Sequence, residues 1–325
     1  MDPLAELLAG PCAQDAFLLR IAMAPPWSVD IRDRAPLSVM CHVSGPAWVV
    51  PEAGEAVRLS PGDIAVARGP DRYLVADEPG RPAQVVCHPG QLCTTPDGVP
   101  LSEELMLGVR TWGTAESPSS GASVMLIGTY ESAGAAARRL LRALPPLLVV
   151  RAGEWDTPLV GLLGAEIGKD GPAQSLVLDR LLDLLLVAVL REWFARPGGR
   201  APAWLDAQGD PVVGRALGLL HEHPAHPWTV AELASRTGVS RAALARRFTG
   251  LVGEPPMAYL TGWRLDLAAD LLRDPEATLG AVARKVGYGS GFALSAAFKR
   301  ERGVAPRDYR RTAAAGATAT AGART

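Results

Sequence analysis

Several groups of side chains in this 325-residue chain have the types and spacing to do chemistry. Cys87-His88 and Cys93 are close enough to share a metal ion or to act as a thiol pair. Buried free thiols in a β core are the plainer reading of the same residues. His221, His223 and His226 flank Pro224 and Pro227 at irregular spacing, which suits a surface loop better than a metal site. Gly287-Tyr288-Gly289-Ser290-Gly291 has the glycine density of a phosphate loop. It lacks the preceding strand and the Lys-Ser/Thr ending that would place a nucleotide there. No Gly-x-Ser-x-Gly nucleophile elbow occurs, and no catalytic residue is assigned.

The remaining chemistry is cationic and repeated. Thr229, Leu233, Ala234 and Gly238 recur as Thr278, Val282, Ala283 and Gly287, 49 residues on. Ser240, Leu244, Phe248, Gly253, Pro256 and Tyr259 recur as Ser290, Leu294, Phe298, Gly303, Pro306 and Tyr309, 50 residues on. The extra residue falls in the turn, where Gly287-Tyr288-Gly289 replaces Gly238-Val239. Each copy reads as helix, tight turn, helix. Thr229 is a cap with Glu232 at capping-box spacing, Gly238 suits a left-handed helix end, and Ser240 caps the next helix. That helix is expected to bury Leu244, Phe248 and Leu251. Its other surface offers Ser240, Arg241, Ala242, Ala245, Arg246, Arg247 and Thr249. The second copy offers Ser290, Ser295, Lys299 and Arg300. An exposed cationic helix face after a tight turn can lie in the DNA major groove. There arginine can read guanine edges or bind phosphate. Between the copies, 255–272 reads as a spacer helix with Leu260, Trp263, Leu267 and Leu271 on its inner stripe.

The charge distribution agrees. Residues 201–325 hold 16 Lys+Arg against 11 Asp+Glu, and residues 1–200 hold 17 against 23. A polyanionic partner is therefore expected for the C-terminal part only. Double-stranded DNA is the expected partner.

Other elements must carry this pair of helices. Residues 1–150 read as short strands, including 37–43, 47–50, 56–59, 63–66 and 124–130, separated by Gly/Pro turns such as Ser60-Pro61-Gly62-Asp63. A small barrel or sandwich is expected. A short helix is expected at 134–143. The stretch 174–196 places Leu178, Leu181, Leu182, Leu185, Val189 and Trp193 at helical spacing, and Leu184, Leu186 and Val187 widen the apolar surface. It reads either as an internal core helix or as a dimer helix. The second reading is adopted, with charge at Leu181 and Leu185 expected to separate a homodimer. A linker follows at 196–202, and 313–325 reads as a disordered tail. Cys12, Cys41, Cys87 and Cys93 are too few and scattered for a disulfide scaffold. Met1-Asp2-Pro3 lacks the basic opening of a secretory signal. The longest apolar run, 181–190, is too short to span a bilayer. A cytoplasmic protein without membrane contact is expected.

Two stretches then carry a family resemblance. Trp228-Thr229-Val230-Ala231-Glu232-Leu233-Ala234, Gly238-Val239-Ser240-Arg241 and Gly253-Glu254-Pro255-Pro256-Met257-Ala258-Tyr259-Leu260 resemble the first half of an AraC/XylS-family DNA-binding domain. Val286-Gly287-Tyr288, Ala297-Phe298-Lys299-Arg300 and Gly303-Val304-Ala305-Pro306-Arg307-Asp308-Tyr309-Arg310 resemble that family's C-terminal signature. The match covers about residues 205–311 and implies contact with two adjacent major-groove segments. The N-terminal half is similar to the cupin-type sensor of one branch of the family. That likeness rests on His42-Val43-Ser44-Gly45, Leu59-Ser60-Pro61-Gly62-Asp63 and Leu144-Pro145-Pro146-Leu147-Leu148, with Trp204-Leu205-Asp206 and Asp210-Pro211 leading into the DNA-binding part.

The resemblance implies an α+β chain. A cupin-like β-barrel sensor is expected at 1–150, a helical dimerisation element and linker at 151–202, a double helix-turn-helix at 203–312 and a tail at 313–325. Metal-binding cupins use a His-x-His pair, a Glu and a later His. Here His42 stands alone and Tyr73 replaces the later His, so no metal and no cofactor is expected. His42, Trp48 and Tyr73 are the candidate effector-binding residues, and Cys87 and Cys93 the candidate redox residues. A small-molecule effector and RNA polymerase are candidate partners. A cupin-type metal enzyme with an accessory DNA-binding region, a thiol-redox regulator, and a regulator whose barrel serves only assembly remain as alternatives.

Overall fold

The computed structural model describes residues 16–101, 104–108, 110–115, 121–130, 140–141, 143–155, 157–196, 202–274 and 276–311. Cys12, the tail at 313–325, most of the helix expected at 134–143 and the linker at 197–201 lie outside them. The described residues form two compact units. One gathers those within 8–133 and 144–199, and the other is built mainly on those within 200–321.

The first unit is two sheets facing each other. Seven strands run in the order β10(Met106–Gly108), β11(Thr111–Gly113), β1(Ala16–Met23), β12(Ser123–Tyr130), β3(Leu37–Ser44), β6(Ile64–Arg68), β13(Leu147–Val150). Six run in the order β5(Val57–Leu59), β4(Ala47–Pro51), β7(Tyr73–Ala76), β2(Ser28–Ile31), β8(Val85–His88), β9(Leu92–Thr94). Apolar side chains of both sheets, among them Met23, Trp27, Met40, Val49, Leu59, Ala65, Val75 and Met125, fill the space between. This is the expected cupin-like, sheet-rich architecture.

The motifs behind the N-terminal resemblance hold this unit together. Gly45 sits at φ +80°, and a Cβ there would lie 2.4 Å from the Ala122 carbonyl oxygen. The turn 60–63 brings the buried Asp63 carboxylate to Ser60 N at 2.9 Å, Ala152 N at 2.9 Å and Arg151 Nη1 at 2.8 Å. Burial pushes this carboxyl up, but the two backbone N–H groups and the guanidinium outweigh it and hold it below the ordinary value.

Helices α1(Leu159–Ile167) and α2(Gln174–Ala195) belong to the same unit. α2 lies directly on β12. A Cβ at Gly128 would meet Leu182 Cδ1 at 2.5 Å, so glycine there lets Leu182 seat on the strand without shifting. Leu178, Leu182, Leu185, Leu186, Val189 and Leu190 are buried. Leu185 is thus internal core and Leu181 is half-buried, because the inner stripe rests on the chain's own sheet. The outward apolar side chains are Leu176, Val177 and Leu184 on α2 and Leu162 on α1. No helix among the described residues is long and apolar enough to cross a membrane.

The second unit is helical: α3(Ala203–Asp206), α4(Val213–Glu222), α5(Val230–Thr237), α6(Arg241–Val252), α7(Pro256–Leu271), α8(Leu279–Lys285) and α9(Gly291–Arg302). α5–α6 and α8–α9 are the two helix-turn-helix copies. α7, between them, is buried on more than one side. Tyr259, Leu260 and Trp263 serve its first half. Leu265, Ala268, Ala269 and Leu272 serve the second, while the expected Leu267 and Leu271 are half-buried at the margin.

Candidate nucleic-acid interface

Local hydrogen bonding makes the two copies alike. Thr229 Oγ1 accepts from Glu232 N at 3.1 Å, Ser240 Oγ from Ala243 N, Thr278 Oγ1 from Ala281 N and Ser290 Oγ from Ala293 N, the last three at 3.2 Å. All four expected caps are formed, each satisfying a backbone donor that its helix leaves open. Glu232 does not close a capping box. Its Oε1 lies 2.9 Å from His226 Nε2 instead. Gly238 and Gly287 both adopt φ above +70°. Val239 N then donates to Ala234 O at 3.0 Å and Tyr288 N to Ala283 O at 2.8 Å. The 49-residue register therefore runs through Tyr288, and the extra residue is Gly289. The repeat extends to ring packing, with Phe248 edge-on to Tyr259 at 5.8 Å and Phe298 edge-on to Tyr309 at 5.4 Å.

On α6 the buried side is Leu244, Phe248 and Val252. Leu251, expected inside, is exposed: Val252, four residues after Phe248, takes the core position. Ala242, Arg246 and Thr249 are exposed at i, i+4 and i+7 on the opposite side, with Arg241 exposed at the helix start. Neither Arg241 nor Arg246 forms an ion pair among the described residues. Arg247 points elsewhere, with Nε 2.8 Å from Asp210 Oδ2. Asp210 Oδ1 also accepts from Val212 N at 3.0 Å and Val213 N at 2.9 Å, so it ties the turn that opens α4 to α6.

On α9, Leu294, Ala297 and Phe298 are buried. Phe292, Ala296 and Lys299 are exposed at i, i+4 and i+7, with Ser295 half-buried beside them. Arg300 is exposed and lies 3.1 Å from its neighbour Glu301. Ser240 and Ser290 stand at the open ends of the two helices, their oxygens already engaged as caps.

The histidine loop is a fastening. His221, on α4, lies with Nε2 2.7 Å from the Tyr259 hydroxyl. Trp228 Nε1 donates to His223 O at 2.9 Å. Arg264 of α7 donates to Pro224 O at 2.6 Å and His226 O at 2.7 Å. A Cβ at Gly287, in the second turn, would lie 2.8 Å from both Ala225 Cα and Arg264 Nη2.

In the sheet unit a cavity of about 210 Å³ opens between β4/β7 and β6/β13. Val49, Pro51, Ala67, Pro146 and Leu147 form its apolar walls, and Arg68, Arg72, Glu52, Asp71 and Tyr73 its polar lining. Of the three effector candidates only Tyr73 lines it; burial, with Asp33 adding to it, pushes its hydroxyl well up, against the opposing hydrogen bond with Ser38. Trp48 alternates with Val49 and faces the other way. His42 is buried with Nε2 2.9 Å from Gly45 O, and burial lowers its pKa. The cavity was not legible from spacing, because its walls come from four strands.

Cys87 and Cys93 pair across β8 and β9, with their Sγ atoms 2.8 Å apart. The contact raises Cys87 and lowers Cys93, and burial raises both. Among the described residues no group of three or more His, Cys, Asp or Glu is placed to hold a metal.

Comparison with known proteins adds the following. Residues 2–195 match a family described as Cupin, and residues 233–312 one described as a helix-turn-helix domain. An AraC-like transcription regulator of Streptomyces antibioticus is 38% identical over 296 residues, covering 86% of this chain and 95% of the relative. A second, from Streptomyces lividans, is 38% identical over 286 residues, covering 83% and 91%. The DNA-binding domain of AdpA, solved with a target DNA, is 33% identical with a TM-score of 0.30, covering 32% of this chain and 92% of that one.

Proposed function

Because this chain belongs to the AraC-like transcription regulators, with a cupin-type domain ahead of a helix-turn-helix domain, we propose that it acts as an effector-responsive homodimer in the cytoplasm and not as an enzyme. Each copy lays α6 and α9 in two adjacent major-groove segments. The observation that carries this reading is the pair of capped helices whose outward faces hold Arg241, Ala242 and Arg246, and Ser295, Lys299 and Arg300. Arg246 is assigned to base edges, Lys299, Arg300 and the two cap serines to phosphates, and Arg247 to holding α6 in place. Binding of the full chain to duplexes selected from genomic fragments tests it. Log affinity should fall with log salt at a slope of about −0.9 per phosphate contact. No duplex retained at low salt would overturn the reading.

The outward Leu162, Leu176, Val177 and Leu184 support a second copy as the occupant of that surface. The cavity at Tyr73 supports a small effector with an apolar body and a polar end. RNA polymerase is the partner expected if the regulator activates.

The thiol contact favours a second mode of sensing. With a peroxide as two-electron oxidant, the Cys93 thiolate attacks the peroxide oxygen, giving a sulfenic acid and hydroxide. The Cys87 thiol then displaces water from that sulfur, closing a disulfide. Mass spectrometry after peroxide treatment should find a Cys87–Cys93 cross-link. Unlinked thiols together with unchanged operator binding would exclude this mode.

A further inference from the structure

We propose that Phe292 reads a thymine, seating its ring against the C5-methyl group in the second half-site; this rests on the reading that α9 enters the major groove. Phe292 is the second residue of α9 and, at 85%, the most exposed large apolar side chain among the described residues. On its own helix it stands apart from the apolar side. Its neighbours one and two turns on are Ser295, Ala296 and Lys299, while the apolar side of the helix, Leu294, Ala297 and Phe298, is turned into the core. A lone ring on a cationic face suits a polyanion that carries an apolar spot.

The major groove has one such spot. The other groups that distinguish base pairs there are hydrogen-bond donors and acceptors, apart from the small C5–H of cytosine; the thymine methyl is the one apolar group that projects into the groove. A side chain with no hydrogen-bonding atom gains most of its discrimination from that methyl. The local structure fixes the ring's origin: Ser290 caps the helix, and a Cβ at Gly291 would come within 3.3 Å of Leu279 Cγ. The small residue at 291 lets the first turn of α9 seat on α8, and the next residue projects outward. The exposed Ala296, one turn on, leaves the approach open. In the first copy the same register position is Ala242, whose methyl has far less reach.

The test uses the full-length protein and duplexes it enriches from a random-sequence pool. Each thymine of the second half-site is replaced in turn by deoxyuridine, which keeps base pairing and removes only the methyl. Protection of guanine N7 from methylation reports which groove segments are occupied. Wild type should lose about fourfold in affinity at one thymine, the value of one methyl group returned to water, about 0.8 kcal/mol. Phe292→Ala should bind the thymine duplex less tightly and no longer distinguish it from the deoxyuridine duplex. Phe292→Leu should keep part of the discrimination. If both segments are protected and wild type tolerates deoxyuridine everywhere, the proposal is overturned and the two-segment reading stands. The same holds if Phe292→Ala shows the wild-type ratio. If only one segment is protected, the two-segment reading falls and takes the proposal with it.

Discussion

Arg247, on the first reading helix, is turned away from the exposed face and holds the Asp210 carboxylate with Nε 2.8 Å from Oδ2. The partner lies 37 residues upstream, at the start of α4, so an arginine in the middle of a cationic helix is spent on placing that helix. Arg247→Ala and Asp210→Asn should each lower the unfolding midpoint slightly and weaken all duplexes alike. The pair should couple by about 0.2–1 kcal/mol in a double-mutant cycle, since the arginine is half-exposed. A loss of salt slope in Arg247→Ala alone would make it a phosphate ligand instead.

Arg246 and Lys299 should separate base reading from phosphate binding. Arg246→Ala should relax preference at one or two positions of the first half-site, by about 1–3 kcal/mol of discrimination. Lys299→Ala should weaken every sequence about equally and make the salt slope shallower by roughly one contact. Operator saturation binding for the two variants distinguishes them, and a uniform loss in Arg246→Ala would count against base reading there.

Leu184→Glu should give a folded monomer in sedimentation, because Leu184 is outward. Leu185→Glu should unfold the sheet unit, because it buries a charge between helix and sheet. A wild type that is monomeric at micromolar concentration removes the dimer proposal.

Asp183 of α2 should make the protein more stable in mild acid. Burial raises its carboxyl to about 6, with Asp179 adding to the rise and Arg180 and the Tyr130 hydroxyl opposing it. A carboxyl whose folded pKa lies above its unfolded value near 3.9 binds its proton more tightly in the fold. Its penalty is absent below about pH 4, grows between pH 4 and 6, and is complete above. Asp183→Asn should therefore stabilise at pH 7, by on the order of 1–3 kcal/mol, and by little at pH 4. Urea titrations at the two pH values check this, and equal effects at both would contradict it.

The helix-turn-helix pair was legible in the sequence because its determinants are local. A cap, a residue three places on and a left-handed glycine define each turn, and the repeat let one copy check the other. The strands at 37–44, 47–51, 57–59, 64–68 and 123–130 were found within one or two residues. β1 was not, nor were β2, β7–β11 and β13. For β1, β2, β7 and β13 the pairing is remote, as where Ala16 faces Tyr130 or β2 runs parallel to β8, while β8–β11 are strands of only three or four residues whose runs are too short to show alternation. Remote pairing is likewise why spacing could not open the cavity beside Tyr73 or give Arg247 its partner, whereas Cys87 and Cys93, six residues apart on adjacent strands, were already legible as a thiol pair. Helical periodicity found α2 but could not say which stripe faced its own sheet. That was decided by packing against the sheet, where Leu182 meets Gly128 on a strand some fifty residues away.

The fastening at Arg264 governs how the protein measures DNA. One guanidinium grips the loop ahead of the first copy, and the second copy's turn is pressed against both that loop and that guanidinium at Gly287. Among the described residues the two copies are therefore joined twice, through α7 and by direct touch at Gly287. A pair of readers joined at two places is a caliper of set opening. One base pair inserted between the half-sites turns the second by about 34–36° around the helix axis, taking 10–10.5 base pairs per turn. A caliper cannot follow that rotation, so a single inserted pair should cost more affinity than any single mismatch within either half-site.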